Sequence, residues 1–216
     1  MASSISCQDE IGQGVACLKA GGVVVFPTDT LYGVGVDVFN IPALRRVFEL
    51  KARPLGLALP VLVSAWEQVG SVAQDIPDIG RRLADRFWPG PLTLVLSRSG
   101  RLPDLVTGGL DTVAVRMPDH PIPLALAREF GGPITGTSAN ISGKADLLAI
   151  EAVEAQFSHA VDYIIRRGPA PAGIPSTVVD VTTGTPRLVR EGALTFETIL
   201  GETILGETIL GETFLG

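Results

Sequence analysis

The sequence predicts a layered α/β domain built around a mixed central sheet. Short β-branched apolar runs alternate along the chain with stretches whose apolar residues recur at helical spacing. Several neighbouring runs lie too close together for a helical crossover, so some strand pairs must be antiparallel. A length of 216 residues with 46% hydrophobic and 19% charged residues suits one packed core.

Ile11, Val15 and Leu18 share one face of a first helix, which Gly21-Gly22 stops. Val23 to Phe26 read as a buried strand, Pro27 to Gly33 as a polar loop and Val34 to Phe39 as a returning strand. The next helix, Pro42 to Lys51, delivers Lys51 and Arg53 at its C-terminal end. Leu57 to Val63 read as a strand, with Pro60 marking a bulge or an edge. Helices follow at Ala65 to Val69 and Asp78 to Phe87, and then the Trp88-Pro89-Gly90-Pro91 corner. Strands are expected at Leu92 to Leu96, Thr112 to Met117, Pro133 to Gly136, Val161 to Ile165, Ser176 to Val181 and Arg187 to Val189. Pro121 to Phe130 and Leu148 to Phe157 supply further helices.

The segment Glu197 to Gly201 repeats through 216 with a period of five residues. That period matches neither 3.6 nor 2, so neither a helix nor a strand keeps its apolar residues on one face. Residues 1–196 are therefore expected to form the domain and 197–216 a tail, with one repeat copy as the domain's last turn and the others as a frayed or self-associating extension.

No apolar run approaches the roughly 20 residues of a membrane span, and the N-terminus lacks the pattern of an export signal. A cytoplasmic protein is the default expectation, with Cys7 and Cys17 as ordinary thiols. A formal charge of −6 opposes a surface made for long nucleic acid but leaves room for a local basic pocket with a small anionic ligand. Phosphate-binding loops of the P-loop and Rossmann types are missing, as is a Gly-x-Ser-x-Gly elbow. With only His120 and His159, a histidine-rich metal site is not expected; His120 is read as shaping a turn and His159 as a surface residue.

The chemistry concentrates in loops at predicted strand ends, where α/β proteins place their ligands. Lys51-Ala-Arg53 offers a point charge and a bidentate guanidinium to phosphates. Thr28-Asp29-Thr30-Leu31-Tyr32-Gly33, Thr137-Ser138-Ala139-Asn140 and Pro175-Ser176-Thr177 offer hydroxyls and an amide. Arg116, ending an apolar strand, calls for an anion: either a ligand, or an internal partner among Asp111, Asp119 and Glu191. Arg190 ends a strand in the same way.

Seven segments in order resemble the threonylcarbamoyl-AMP synthase, or YrdC-like, family. They are Val25-Phe-Pro-Thr-Asp-Thr-Leu-Tyr-Gly33, Lys51-Ala-Arg-Pro54, Trp88-Pro-Gly-Pro-Leu-Thr93, Val113-Ala-Val-Arg-Met-Pro118, Thr137-Ser-Ala-Asn-Ile-Ser-Gly143, Ser176-Thr-Val-Val-Asp180 and Leu188-Val-Arg-Glu-Gly192. The resemblance implies a single α/β domain, a twisted mixed sheet flanked by helices around a positively charged cavity. It implies a nucleotidyltransferase that converts L-threonine, bicarbonate and ATP, with Mg²⁺, to threonylcarbamoyl-AMP and pyrophosphate. The product would pass to a separate transferase that modifies tRNA to threonylcarbamoyladenosine. By the same resemblance Thr30, Tyr32, Arg116, Ser138 and Ser176 hold threonine. Lys51, Arg53, Thr112, Asn140 and Arg190 hold ATP, with Lys51 and Arg53 acting catalytically on the phosphates. No metal is expected to be held by the protein alone.

Two segments depart from the family pattern. Leu57-Ala58 stand where a lysine and a proline are usual, and Lys144-Ala-Asp-Leu-Leu148 replaces a Pro- and Thr-containing segment. Lys144 is a candidate to restore the lost charge. Alternative functions on the same fold are an RNA-binding or ribosome-assembly module, with weak RNA binding, and a carbamoyl-transfer domain like that of hydrogenase maturation proteins.

Overall fold

The computed structural model describes residues 6–201. Helix α1, Cys7–Lys19, starts at Ser6, whose hydroxyl accepts from the Asp9 amide while the Asp9 carboxylate accepts from the Ser6 amide. It ends before Gly21, whose φ of +77° turns the chain into β1, Val24–Pro27. All four residues of β1 are buried, and successive side chains serve opposite sides. Val24 and Phe26 face α1 and α6 (Pro121–Phe130), and Val25 joins the larger core.

Strand β2 spans Tyr32–Gly35 and α2 Ile41–Leu50, with the Asn40 side chain capping α2. Then come β3 (Val61–Leu62), α3 (Trp66–Val72), α4 (Asp78–Phe87), β4 (Leu92–Ser97), α5 (Asp104–Thr107) and β5 (Thr112–Arg116). After α6 the chain forms β6 (Ile134–Thr135), β7 (Thr137–Ser138), α7 (Ile150–Phe157), β8 (Tyr163–Ile164), β9 (Thr177–Asp180) and β10 (Arg187–Arg190).

The expected mixed pairing is present, but the central sheet is divided. One group runs β7-β2-β1-β8 and the other β10-β9-β4-β5-β3-β6, each with parallel and antiparallel neighbours. Residues 134–138 pass from the second group to the first. Thr135 joins them by donating its amide to the Val36 carbonyl at 2.9 Å and accepting from the Val36 amide at 3.1 Å.

Two expected strands come out differently. The returning strand begins at Tyr32 rather than Val34, which draws Tyr32 and Gly33 of the polar loop into the sheet. The run from Leu57 to Val63 is strand only at Val61–Leu62. Before it, a turn closes from Leu57 to Pro54, and the Arg53 guanidinium captures the Ala58 carbonyl at 2.7 Å, removing ladder partners. Pro60 lies just outside β3, which is an interior strand between β5 and β6, not an edge.

Residues 196–201 are helical and Ile199 is fully buried in the main core. The first repeat copy thus packs on the domain. The remaining copies lie outside the described residues. Among the described residues no helix is long and apolar enough to cross a membrane.

Candidate active site

The open face of the larger sheet is set by period-two alternation. In β5, Val113 and Val115 enter the core, whereas Thr112, Ala114 and Arg116 share the opposite face. In β4, Leu92, Leu94 and Leu96 are core and Thr93 falls on that same open face. The loops around Thr30, Ser138 and Ser176 close over it to form a cavity of about 270 Å³.

Arg116 anchors one end. It is 6% exposed, and its Nε donates to the Gly90 carbonyl at 2.9 Å, one terminal nitrogen to Thr30 Oγ1 at 2.7 Å and the other to Asp29 Oδ2 at 2.5 Å. A guanidinium has five N–H groups, so each terminal nitrogen keeps one for a ligand. Its partner is Asp29, not Asp111, Asp119 or Glu191. Burial pulls the Arg116 pKa down, the Asp29 carboxylate opposes that, and nearby Arg190 reinforces it. The other Asp29 oxygen, Oδ1, is buried without a partner.

Ser176 lies beside Arg116 on the cavity wall. Its hydroxyl bonds Thr93 Oγ1 at 2.8 Å, and its carbonyl accepts from Arg190 at 2.8 Å. This corner depends on Gly192. A Cβ there would stand 2.2 Å from the Pro175 carbonyl oxygen and 2.6 Å from the Ser176 carbonyl carbon. Gly192→Ala is therefore expected to push the Ser176 loop outward and to cost about 1–3 kcal/mol. Urea titration would register the loss of stability.

Arg53, Ala58, Ser138 and Asp146 also line the cavity, as do Tyr32 and Gly33. Burial lowers the Arg53 pKa. Burial, and then Glu151, raise that of Tyr32.

Lys51 behaves otherwise than a phosphate ligand. It is 1% exposed, and its Nζ donates to the Ser138 carbonyl, to the Asn140 carbonyl at 2.6 Å and to Asn140 Oδ1 at 3.2 Å. An ammonium has three donors, and all three hold the 138–140 loop. Lys51 is a positioning residue beneath the cavity. Burial, reinforced by Arg53, depresses its pKa from 10.5 to about 8, while Asp146 acts in the opposite direction.

Asn140 is likewise turned to structure: Oδ1 accepts from the Ser138 hydroxyl at 2.7 Å and Nδ2 donates to the Lys144 carbonyl at 2.6 Å. Lys51, Asn140 and Thr112 do not line the cavity. Thr112 opens β5 on the face it shares with Ala114 and Arg116. Lys144 is exposed and outside the cavity wall, whereas Arg190 is on it. The missing cation at Leu57-Ala58 is thus not replaced by Lys144.

Thr30, Tyr32, Arg53, Arg116, Ser138, Ser176 and Arg190 are brought together. Asp29 and Thr93 were not singled out from sequence, although both sit in the quoted motifs. Thr93 was legible as the polar residue between Leu92 and Leu94. His120 caps α6, its Nδ1 accepting from the Ile122 amide at 3.2 Å, and His159 is exposed. Among the described residues no group of three or more His, Cys, Asp or Glu could hold a metal.

Three guanidiniums and several hydroxyl-bearing side chains lining one space suit a ligand with several anionic groups. Residues 16–192 match the Sua5/YciO/YrdC family model, described as telomere recombination. The chain belongs to the Sua5/YciO/YrdC family. Threonylcarbamoyl-AMP synthase of Pyrococcus abyssi (strain GE5 / Orsay) is 44% identical over 182 residues, covering 84% of this chain and 54% of the relative. The enzyme of that name from Bacillus subtilis (strain 168) is 40% identical over 191 residues, covering 88% and 55%. The chain therefore spans about half the length of these curated relatives. The crystal structure of P. abyssi Sua5 complexed with L-threonine superposes with a TM-score of 0.86 at 41% identity, covering 93% of this chain and 59% of that one.

Proposed function

We propose that this Sua5/YciO/YrdC domain is an L-threonylcarbamoyladenylate synthase. The observation that carries the proposal is Arg116, locked by Gly90, Thr30 and Asp29 with two N–H groups to spare, in a cavity also lined by Arg53 and Arg190. The likeness to a threonine-bound Sua5 supports threonine as the amino-acid substrate.

The threonine carboxylate takes both spare N–H groups of Arg116 in the bidentate geometry that guanidinium favours. The hydroxyls of Thr30, Ser176 and Ser138 bind its polar atoms. Arg53 and Arg190 face the phosphates, and the nucleotide extends along the face shared by Arg116, Ala114 and Thr112. Threonine's ammonium group gives a proton to solvent, and the free amine then forms a C–N bond with the carbon of bicarbonate while a C–O bond breaks and water departs, leaving a carbamate. A carbamate oxygen then attacks the α-phosphorus as pyrophosphate departs. Bringing a carboxylate, a carbamate and a polyphosphate together is repulsive, and fixed guanidiniums offset that repulsion while setting the orientation.

Asp146 is the one carboxylate among the cavity-lining residues. That donor set fits Mg²⁺, which binds through one or two carboxylates plus substrate phosphates rather than in an all-protein cage. When bound, the ion would shield phosphate charge. The threonylcarbamoyl-AMP produced would pass to a separate transferase acting on tRNA.

Labelled bicarbonate tests the proposal: the label is expected in a nucleotide product whose mass equals AMP plus the threonylcarbamoyl group. A labelled product lacking threonine, or no labelled nucleotide, would contradict it.

A further inference from the structure

The loop 144–149 carries a carboxylate onto the wall of a cavity otherwise rich in cations. Asp146 lines that cavity together with Arg53 and Ser138. The loop is held from both sides. Asn140, itself gripped by Lys51, donates to the Lys144 carbonyl at 2.6 Å, and the Ser142 amide donates to the Lys51 carbonyl at 2.9 Å. Further along, Leu148 lies against Gly173, where a Cβ would stand 3.2 Å from it. Gly173 in turn donates its amide to the Thr30 carbonyl at 2.9 Å, on the threonine side.

Asp146 is exposed and among the described residues has no ion pair within 4 Å; the Lys51 ammonium is near enough to feel its charge but spends its donors on residues 138–140. Facing phosphates, a carboxylate without an ion-pair partner is repulsive, and more so in a partly closed cavity than in water. A divalent cation between the carboxylate and the phosphates reverses the sign of the interaction.

We infer that Asp146 is the protein's own ligand for the divalent cation carried by the nucleotide, and that it makes nucleotide recognition in this cavity metal-dependent. This rests on the assignment of the cavity as an ATP site. Asp146 supplies one oxygen, the phosphates supply others and water completes the shell, the arrangement Mg²⁺ favours. Lys51 and Asn140 acquire a second task, since they fix the loop that presents the carboxylate.

The test is calorimetric titration of the full chain and of Asp146→Asn with α,β-methylene-ATP, in Mg²⁺ and in EDTA. Asp146 is exposed on a loop, so the amide preserves the fold. With Mg²⁺ the variant is expected to bind about tenfold more weakly than the parent, the scale on which shells of metal sites respond to mutation. In EDTA it is expected to bind as well as the parent or better. Manganese supplied with the analogue should give a protein-bound electron-resonance signal in the parent that is lost in Asp146→Asn. Equal or tighter binding of the Mg²⁺ complex by the variant would overturn the inference, showing that the carboxylate only repels, and would leave the ATP site intact. If neither protein binds the analogue under either condition, the ATP assignment fails and the inference with it.

Discussion

Arg116→Ala is expected to weaken L-threonine binding about a hundredfold, while ATP-analogue affinity changes by no more than about threefold. Two costs combine. The ligand loses its bidentate partner, and Asp29, whose Oδ1 is already buried without a hydrogen bond, loses its only ion pair among the described residues. Removing one member of a buried, hydrogen-bonded charge pair costs about 2–5 kcal/mol, and 1.4 kcal/mol is a factor of ten. Arg116→Lys keeps the charge, but an ammonium cannot reach the Gly90 carbonyl, Thr30 and Asp29 while also forking a carboxylate. It should recover less than a tenth of the lost affinity. Calorimetric titration of threonine into the three proteins checks this, and full recovery by lysine would show that charge alone matters.

Lys51→Ala is expected to lower stability by about 4 kcal/mol, the largest effect of any single change in the cavity's support. The substitution empties a fully buried site and strands the Ser138 carbonyl, the Asn140 carbonyl and Asn140 Oδ1. Lys51→Met retains most of the volume, so its smaller loss, about 2–3 kcal/mol, isolates the hydrogen-bonding share. The pH dependence has a definite sign. Lys51 titrates near 8 in the folded protein against an ordinary 10.5. Between those values the unfolded chain holds the proton and the native protein does not, so stability attributable to Lys51 rises with pH. Below about 8 both states are protonated, and the full cost of burying the charge is present. Urea titrations of the parent and Lys51→Met should therefore diverge in the parent's favour as pH climbs from about 8 to about 10. Curves that stay parallel would place the Lys51 pKa elsewhere.

What was legible in the sequence follows from which forces act locally. Helix α2 announced itself through Leu44, Val47 and Phe48 on one face, and β5 through Val113 and Val115 alternating with Thr112 and Arg116. The cavity's guanidiniums, Arg53, Arg116 and Arg190, were recognisable at strand and helix ends. The role of Lys51 was not, because a lysine after a helix reads as a surface charge. Only the tertiary return of residues 138–140, some 87 positions later, buries it. The partner of Arg116 was hidden for a similar reason. Asp29 is 87 residues away in the chain, whereas the acids considered from sequence were Asp111, Asp119 and Glu191. The link between the two strand groups turns on Thr135 pairing with Val36 across 99 residues, a contact without a local pattern.

The most direct measurement of the central claim is pyrophosphate release from ATP by the full chain, with L-threonine and bicarbonate each omitted in turn. Release that requires both, and that Arg116→Ala abolishes at limiting threonine, is the expected result. Release that proceeds equally well without threonine would contradict the assignment of this cavity.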